Sequence, residues 1–168
     1  MSELKIRPAE PSHFERVWEI FHPVVSSGET YGFPLESNRE DCQRLWFDLP
    51  QQTFVTEDAG SLIGTYYIKP NGAGPSDHIC NCGYMVAPEA RGRGVAAAMC
   101  THSQGVARTL GFKLMQFNAV VSTNTGAIRL WERLGFETVG RVPRAFRHPK
   151  EGYVDTFVMT KWLGEDPG

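Results

Sequence analysis

The stretch from Val86 to Met99 constrains the fold most, because it combines a strand end, a basic turn with two glycines and the start of a helix. Gly92 and Gly94 let the backbone of this turn approach a ligand closely. The first N–H groups of a helix lack intrahelical partners and lie at the positive end of the helix dipole, so they bind phosphate well. The glycine spacing matches neither the Walker A motif nor the dinucleotide fingerprint. The sequence therefore predicts a phosphate-binding turn of another kind.

The composition indicates one globular domain. A chain of 168 residues suits a single core, and 41% hydrophobic and 21% charged residues are typical of globular proteins, so we expect one domain over residues 1–168. A net charge of −2 gives no general attraction to nucleic acid or membranes. The first residues lack the pattern of a secretory signal, and no apolar run is long enough to cross a bilayer. A cytoplasmic location is therefore expected.

Hydrophobic patterning predicts strands and helices that alternate only in the middle of the chain. The predicted strands cover residues 4–7, 53–57, 62–69, 78–86, 112–121, 137–146 and 153–162. The first predicted helix has Ser12 as its N-cap, a kink or early break at Pro23, and an end at 26–28. Further helices are expected after Ser37 to about residue 47, over 95–110, and over 125–134. This order favours an α/β (α+β) fold in which a mixed sheet carries helices on both faces.

The cysteines and histidines give no sign of a metal or of a nucleophilic triad. Cys42, Cys80, Cys82 and Cys100 lie in apolar segments, which indicates buried, reduced thiols. Cys80 and Cys82 would project from one face of a strand, but no second Cys or His pair with zinc spacing accompanies them. His102 falls on the apolar face of a predicted helix, where a packed histidine is expected. We predict no metal site.

Two motifs in the middle of the chain resemble those of the GCN5-related N-acetyltransferase (GNAT) superfamily. The segment Arg91-Gly-Arg-Gly-Val-Ala96 fits its acetyl-CoA motif, and residues 124–136 fit a second family segment in the expected order. Together the two motifs cover about half the chain. The resemblance implies a mixed, mostly antiparallel central sheet of six to seven strands, flanked by about four helices. It also implies that acetyl-CoA is the co-substrate, lying between the splayed strands 78–86 and 112–121, and that the acetyl group moves directly to an amine.

The resemblance also assigns residues to the cofactor. They are Met85, Val86, Arg91, Gly92, Arg93, Gly94, Val95, Ala96, Asn124 and Trp131. Two positions depart from the family: Asn81 stands where many members carry a Glu base, and Trp131 where many carry a Tyr acid. An amide is not a base near neutral pH and an indole N–H is too weak an acid, so proton transfer takes another route.

A narrower resemblance is to the N-acetyltransferases that detoxify azetidine-2-carboxylate, a proline analogue. The segments that carry it are 64–71, 76–83, 117–118 and 140–143. It implies that Asn81 and Asn118 are catalytic and bind the substrate: their amides would orient the acceptor nitrogen, while backbone groups near Asn118 receive its carboxylate. The backbone amide of Val86 would donate to the thioester oxygen. The alternative for Asn81 is that its amide only pairs with neighbouring backbone.

The loop Glu29-Thr-Tyr-Gly-Phe-Pro34 carries more apolar surface than a linker needs. It resembles a stretch of phosphinothricin-type acetyltransferases, which implies that Glu29, Tyr31 and Phe33 bind the substrate. The alternative is that the two aromatic side chains only close the edge of the domain. A basic cluster that either faces solvent or contacts ligand consists of Arg141, Arg144, Arg147, His148 and Lys150.

The sequence therefore predicts an acetyl-CoA-dependent N-acetyltransferase of a small amino acid, imino acid or related amine. The alternatives are a phosphinothricin or methionine sulfoximine acetyltransferase, a protein N-terminal acetyltransferase, and a CoA-binding sensor without turnover. A small-molecule amine is the expected partner, with no nucleic acid and no membrane, and homodimer formation is left open.

Overall fold

The computed structural model describes residues 3–165 and places seven strands in one sheet. The strands are β1 (Lys5–Pro8), β2 (Gln52–Asp58), β3 (Ser61–Pro70), β4 (Ile79–Val86), β5 (Leu114–Val121), β6 (Glu137–His148) and β7 (Gly152–Trp162). Their order in the sheet is β1-β2-β3-β4-β5-β7-β6, and every pair is antiparallel except β4 with β5. The predicted mixed, mostly antiparallel sheet is confirmed. The ends of the predicted domain, residues 1–2 and 166–168, lie outside the described residues.

Four helices flank the sheet, as predicted. They are α1 (Phe14–Ser27), α2 (Arg39–Cys42), which continues as a π-helical segment over Gln43–Asp48, α3 (Val95–Thr109) and α4 (Thr125–Arg133). Short 3₁₀ turns lie at Pro11–His13, Gly74–Ser76 and Pro88–Ala90. None of the helices within residues 3–165 has the length and apolar composition needed to span a bilayer.

The predicted N-caps of the first two helices are wrong by one or two residues. Ser12 lies inside the first 3₁₀ turn, which opens at Glu10, whose backbone N–H donates to Nδ1 of His13 at 2.9 Å. Asn38, and not Ser37, caps α2: its Oδ1 accepts from the backbone N–H of Asp41, and Asp41 accepts in return, both at 2.9 Å. At each start more than one polar residue stands within three positions, so composition alone does not select the one that caps the helix.

Of the kink or early break predicted at Pro23, the early break is wrong, while the predicted end of the helix at 26–28 is confirmed. Helix α1 runs on to Ser27 and ends at Gly28, whose φ of 67° is the left-handed conformation that glycine adopts without strain. Pro23 is exposed, so the helical hydrogen bond that it lacks faces solvent, where water can replace it.

Neighbouring side chains of β3 face opposite layers of the molecule. Tyr66 points to α3, where its hydroxyl lies 2.7 Å from Nδ1 of His102, and burial lowers the pKa of that histidine. Tyr67 points to the opposite layer and packs edge-on against Trp46, 4.8 Å between ring centroids. The expectation that His102 packs is confirmed, and so are helices on both faces of the sheet. All four cysteines are buried and free.

Candidate active site

The site begins where the parallel strands β4 and β5 separate. They pair at Ile79 with Leu114 and at Cys80 with Met115, and then diverge into what we call the fork. On its other edge β4 pairs with β3 through alternate residues, as shown by the bonds from Asn71 N to Ile79 O and from Ala87 N to Ile63 O, both 2.8 Å. The intervening residues of β4 therefore direct their backbone N–H and C=O groups into the fork; they are Cys82, Tyr84 and Val86. The backbone N–H of Val86, predicted to donate to the thioester oxygen, therefore faces the fork.

The turn predicted to bind phosphate follows β4 and starts α3. Gly92 and Gly94 have φ values of 75° and 78°, and Gly94 is the N-cap. The first helical bond of α3 runs from Ala98 N to Gly94 O, so the preceding N–H groups of the helix start have no helical acceptor. No acidic side chain lies in this first turn, and a Cβ built on either glycine would meet no atom within 4 Å. The open space and the free donors fit a phosphate group of acetyl-CoA.

A cavity of about 1040 Å³ runs along the fork from this turn. The predicted cofactor residues that line it are Met85, Val86, Arg91, Gly92, Gly94, Val95, Ala96, Asn124 and Trp131. The predicted substrate residues that line it are Glu29, Tyr31, Phe33, Asn81 and Asn118. Arg93 does not line it: its guanidinium pairs with Asp58 in a separate surface depression. At the turn, therefore, only the backbone of Arg93, and not its side chain, is available to a ligand.

Asn81 is buried at the base of the fork and bridges its two sides. Its Nδ2 donates to the backbone carbonyl of Gln116 on β5 at 2.9 Å, and Tyr67 donates its hydroxyl to Oδ1 at 3.3 Å. A carbonyl oxygen only accepts, which fixes the orientation of the Asn81 amide. Burial raises the pKa of Tyr67 well above its ordinary value, so Tyr67 stays a neutral donor. Asn81 therefore pairs with backbone and also faces the cavity.

Asn118 projects from an irregular part of β5. The pairing of β5 with β7 shifts between Phe117 and Val120, so Asn118 and Ala119 lie in a bulge. The Asn118 amide exchanges two hydrogen bonds with Asn71, of 2.7 and 3.0 Å, and accepts a third from Nε2 of Gln116 at 2.9 Å. We call the four carboxamide residues Asn71, Asn81, Gln116 and Asn118 the amide corner.

Sequence reasoning missed several members of this end of the cavity. Tyr67 and Lys69 occupy alternate positions of β3, opposite Gly83 and Asn81, and Asn71 continues this alternation just after the strand, opposite Ile79. Tyr67 and Lys69 also line the cavity. The two-residue alternation in the segment 64–71 was the signal that could have placed them on one face.

The loop after α1 closes this end of the cavity. The Tyr31 hydroxyl donates to the backbone carbonyl of Tyr84 at 2.8 Å, so it reaches into the fork, and desolvation there raises the pKa of Tyr31. The Tyr31 and Phe33 rings stack at 5.5 Å. Glu29 forms an ion pair of 3.0 Å with Lys150 at the tip of the β6–β7 hairpin, and this bond lowers the pKa of Glu29. The loop therefore both lines the cavity and packs at the domain edge.

None of the basic cluster lines the cavity. Arg141 pairs with Asp155 at 3.5 Å, and the backbone N–H of Arg144 donates to the same carboxylate at 2.9 Å. Nδ1 of His148 accepts from the backbone N–H groups of Lys150 and residue 151 at 3.2 Å, which closes the hairpin turn. Residues of the cluster therefore stabilise the β6–β7 hairpin, and Lys150 also pairs with Glu29.

The second family segment forms the far wall of the cavity. Asn124 caps α4, with Oδ1 accepting from the backbone N–H of Ala127 at 3.4 Å. Trp131 on the same helix packs against Tyr84 and Phe117, with ring centroids 5.2 and 5.0 Å apart. Within the described part of the chain no group of three or more His, Cys, Asp or Glu side chains is placed to hold a metal ion.

Comparison with known proteins agrees with this geometry. The profile of the acetyltransferase (GNAT) family matches residues 14–136. N-acetyltransferase aca1 of Schizosaccharomyces pombe is 33% identical over 151 residues, a match that covers 80% of this chain and 72% of that protein.

Solved structures show the same fold. A GCN5-related N-acetyltransferase from Kribbella flavida superimposes with a TM-score of 0.90 at 42% identity, covering 95% of this chain and 97% of that one. A phosphinothricin acetyltransferase from Sinorhizobium meliloti, solved in complex with acetyl-CoA, gives a TM-score of 0.85 over 98% of this chain and 90% of that one. At 23% identity this second likeness shows the fold alone.

Proposed function

Since this chain belongs to the acetyltransferase (GNAT) family, we propose that it transfers the acetyl group of acetyl-CoA to the amine of a small amino acid or imino acid. An acceptor of the azetidine-2-carboxylate or proline-analogue type is the narrower proposal. We also propose that residues 1–168 form one acetyltransferase domain.

The single observation that carries the choice of acceptor is the charge along the cavity. Glu29 is the one acidic side chain of the described residues that lines it, and Lys150 already pairs with Glu29. The basic side chains that line it are Lys69, Arg91 and Arg133. A polyamine would need unpaired carboxylates at its binding site, whereas a small amino acid brings a carboxylate of its own.

The reaction proceeds by direct attack in a ternary complex. The acceptor nitrogen, as the free amine, forms a bond to the thioester carbonyl carbon and loses a proton to water. The carbon–sulfur bond breaks, and the sulfur leaves as a thiolate that takes a proton from water. Asn81 and Asn118 hold the acceptor nitrogen, and the backbone N–H of Val86, which faces the fork, donates to the carbonyl oxygen as negative charge develops on it. Placing both reactants side by side in the fork supplies much of the acceleration.

A thiol-release assay with acetyl-CoA and a panel of acceptors tests this proposal. We expect turnover above the rate without acceptor for azetidine-2-carboxylate and proline analogues. Preference for phosphinothricin and methionine sulfoximine, or for peptides with free N-termini, would redirect the acceptor assignment to those classes. Background rates across the whole panel, with tight CoA binding in calorimetry, would replace the enzyme by a CoA-binding sensor.

A further inference from the structure

Among the described residues, the Lys69 ammonium group forms no ion pair and no hydrogen bond. Lys69 lies on β3 directly opposite Asn81, is half-buried, and lines the cavity. Its Nζ sits 5.2 Å from the centroid of the Tyr67 ring. Since the Tyr67 hydroxyl bonds to Asn81, the ring fixes the ammonium group beside the amide corner.

This ammonium group lacks an acidic partner, whereas seven other lysine and arginine side chains within residues 3–165 have one. Within residues 3–165, no carboxylate lies within ion-pair distance of Lys69. Lys150 has Glu29, and the half-buried Lys161 donates to Gln104 Oε1 at 2.7 Å and to the Leu134 carbonyl at 2.6 Å. A half-buried cation inside a cavity is stabilised by an anion, and the protein supplies none at Lys69.

The carboxamides of the amide corner already make hydrogen bonds within the protein, and the N–H groups and lone pairs that remain are those that the proposed function assigns to the acceptor nitrogen. Asn81 uses both ends of its amide, and the oxygen of Asn118 accepts from both Asn71 and Gln116. Lys69 carries three N–H donors, and no hydrogen bond from them to the described protein is present. The strongest unused donor at the acceptor end of the cavity is therefore Lys69.

We propose that Lys69 binds the carboxylate of the acceptor and thereby selects amino and imino acids over amines that lack a carboxylate. The inference rests on the proposed function and adds the residue that enforces it. Backbone N–H groups of the bulge at Asn118 and Ala119 can share the same carboxylate, because Asn71 ties this bulge to the strand that bears Lys69. A simple amine lacks the carboxylate that Lys69 would bind, and its own positive charge is repelled by Lys69. It is therefore disfavoured for two reasons.

The test compares matched acceptors on matched variants. The acceptors are azetidine-2-carboxylate with azetidine, and proline with pyrrolidine. The variants are Lys69→Gln, the conservative Lys69→Arg, and Lys5→Gln as a control, since Lys5 is an exposed lysine on β1 away from the cavity. Calorimetry with CoA and thermal unfolding show that each variant is folded and loads the donor.

We expect Lys69→Gln to raise the KM for azetidine-2-carboxylate by about tenfold or more, as loss of a charge-assisted hydrogen bond does, with a smaller change in kcat. The KM for azetidine stays equal or falls, so the preference for the carboxylate collapses. Lys69→Arg recovers part of it, and Lys5→Gln matches the wild type.

The outcomes separate this inference from the proposed function. If the wild type prefers carboxylates and Lys69→Gln keeps that preference, Lys69 is not the anchor while the proposed function stands. If the wild type turns over azetidine as well as azetidine-2-carboxylate, both are wrong. If nothing turns over, NMR titration of the CoA-loaded protein with azetidine-2-carboxylate decides: binding that Lys69→Gln abolishes supports the anchor, and unchanged or absent binding overturns it.

Discussion

The two ends of the cavity differ in the groups that they present: backbone N–H groups at one end and side chains at the other. The donor end is one continuous segment, from the end of β4 through Gly94 into α3, and it offers backbone N–H groups. The acceptor end consists of side chains from β3, β4 and β5, together with the loop that bears Glu29. A backbone site tolerates change wherever φ and ψ are kept, whereas a side-chain site depends on each partner separately. Mutations at the two ends should therefore separate donor binding from acceptor chemistry.

The largest expected effect is at the donor end. Gly94→Val forces a β-branched residue into a φ of 78° and puts its Cβ into the space left for phosphate. We expect the Kd for CoA to rise about a hundredfold, since charge-assisted bonds to N–H groups at the helix start are lost. Isothermal calorimetry with CoA measures this change.

Gly60→Val is the matched control for this substitution. Gly60 has a φ of 83° in the β2–β3 turn, and a Cβ there also meets open space, so the backbone strain is similar while the cavity is untouched. Both variants should unfold at lower temperature, and only Gly94→Val should lose CoA. Equal CoA affinity in the two would refute the phosphate role of the turn.

At the acceptor end, Asn81→Ala should separate chemistry from donor binding. We expect kcat with azetidine-2-carboxylate to fall about thirtyfold, while the Kd for CoA changes little, since an orienting group is removed and the turn is intact. The carbonyl of Gln116 and the hydroxyl of Tyr67 lose their partner, which destabilises the fold by about 1–3 kcal/mol. Tyr67→Phe removes one of these bonds and keeps the amide, so it should retain most of the turnover.

A smaller effect is expected for Asn71, which holds Asn118 through two hydrogen bonds. Asn71→Ala removes both of these bonds and leaves Asn118 its bond from Gln116, so we expect kcat/KM to fall about fivefold. The double variant with Asn118→Ala should be no worse than Asn118→Ala alone, because Asn71 acts through Asn118. Additive losses in this cycle would show that Asn71 contacts the acceptor itself.

The sequence predicts the strands and helices well because their signals are local. Alternating apolar residues, the glycines that end α1 and α4, and the turn at 58–60 each act over a few residues. The errors arise where neighbouring residues compete for one role, as at Ser12 and Glu10 or at Ser37 and Asn38. Pro23 shows a different limit, since its cost depends on whether water reaches the carbonyl that it leaves unpaired.

The candidate site also has a part that the sequence predicts and a part that it does not. The donor turn is visible in the sequence because its glycines and its helix start are adjacent along the chain. The amide corner joins residues as far apart as Asn71 and Asn118, and only the register of β3, β4 and β5 brings them together. The guanidinium of Arg93 lies outside the cavity, where it pairs with the distant Asp58. No local pattern contains these pairings.

The smallest expected effect concerns the ion pair between Glu29 and Lys150. Lys150 holds the pKa of Glu29 below its ordinary value, so Glu29 stays ionised as the pH falls past the value at which a free glutamate protonates. The pair is present above that ordinary pKa and is lost as the pH falls through the lowered pKa of the folded protein. NMR titration of the Glu29 carboxyl should therefore show a higher pKa in Lys150→Gln than in the wild type.

Both groups of this pair are exposed in part, so we expect KM for the acceptor to change by less than about twofold in Lys150→Gln at neutral pH. Lys161→Gln removes a lysine bonded to Gln104 and the Leu134 carbonyl instead, and should leave the Glu29 titration unchanged. A large loss of turnover in Lys150→Gln would mean that the hairpin tip contacts the acceptor directly. The acceptor end would then include the hairpin tip as well as the fork. It would combine residues from still more distant parts of the chain, whereas the donor end is one continuous segment.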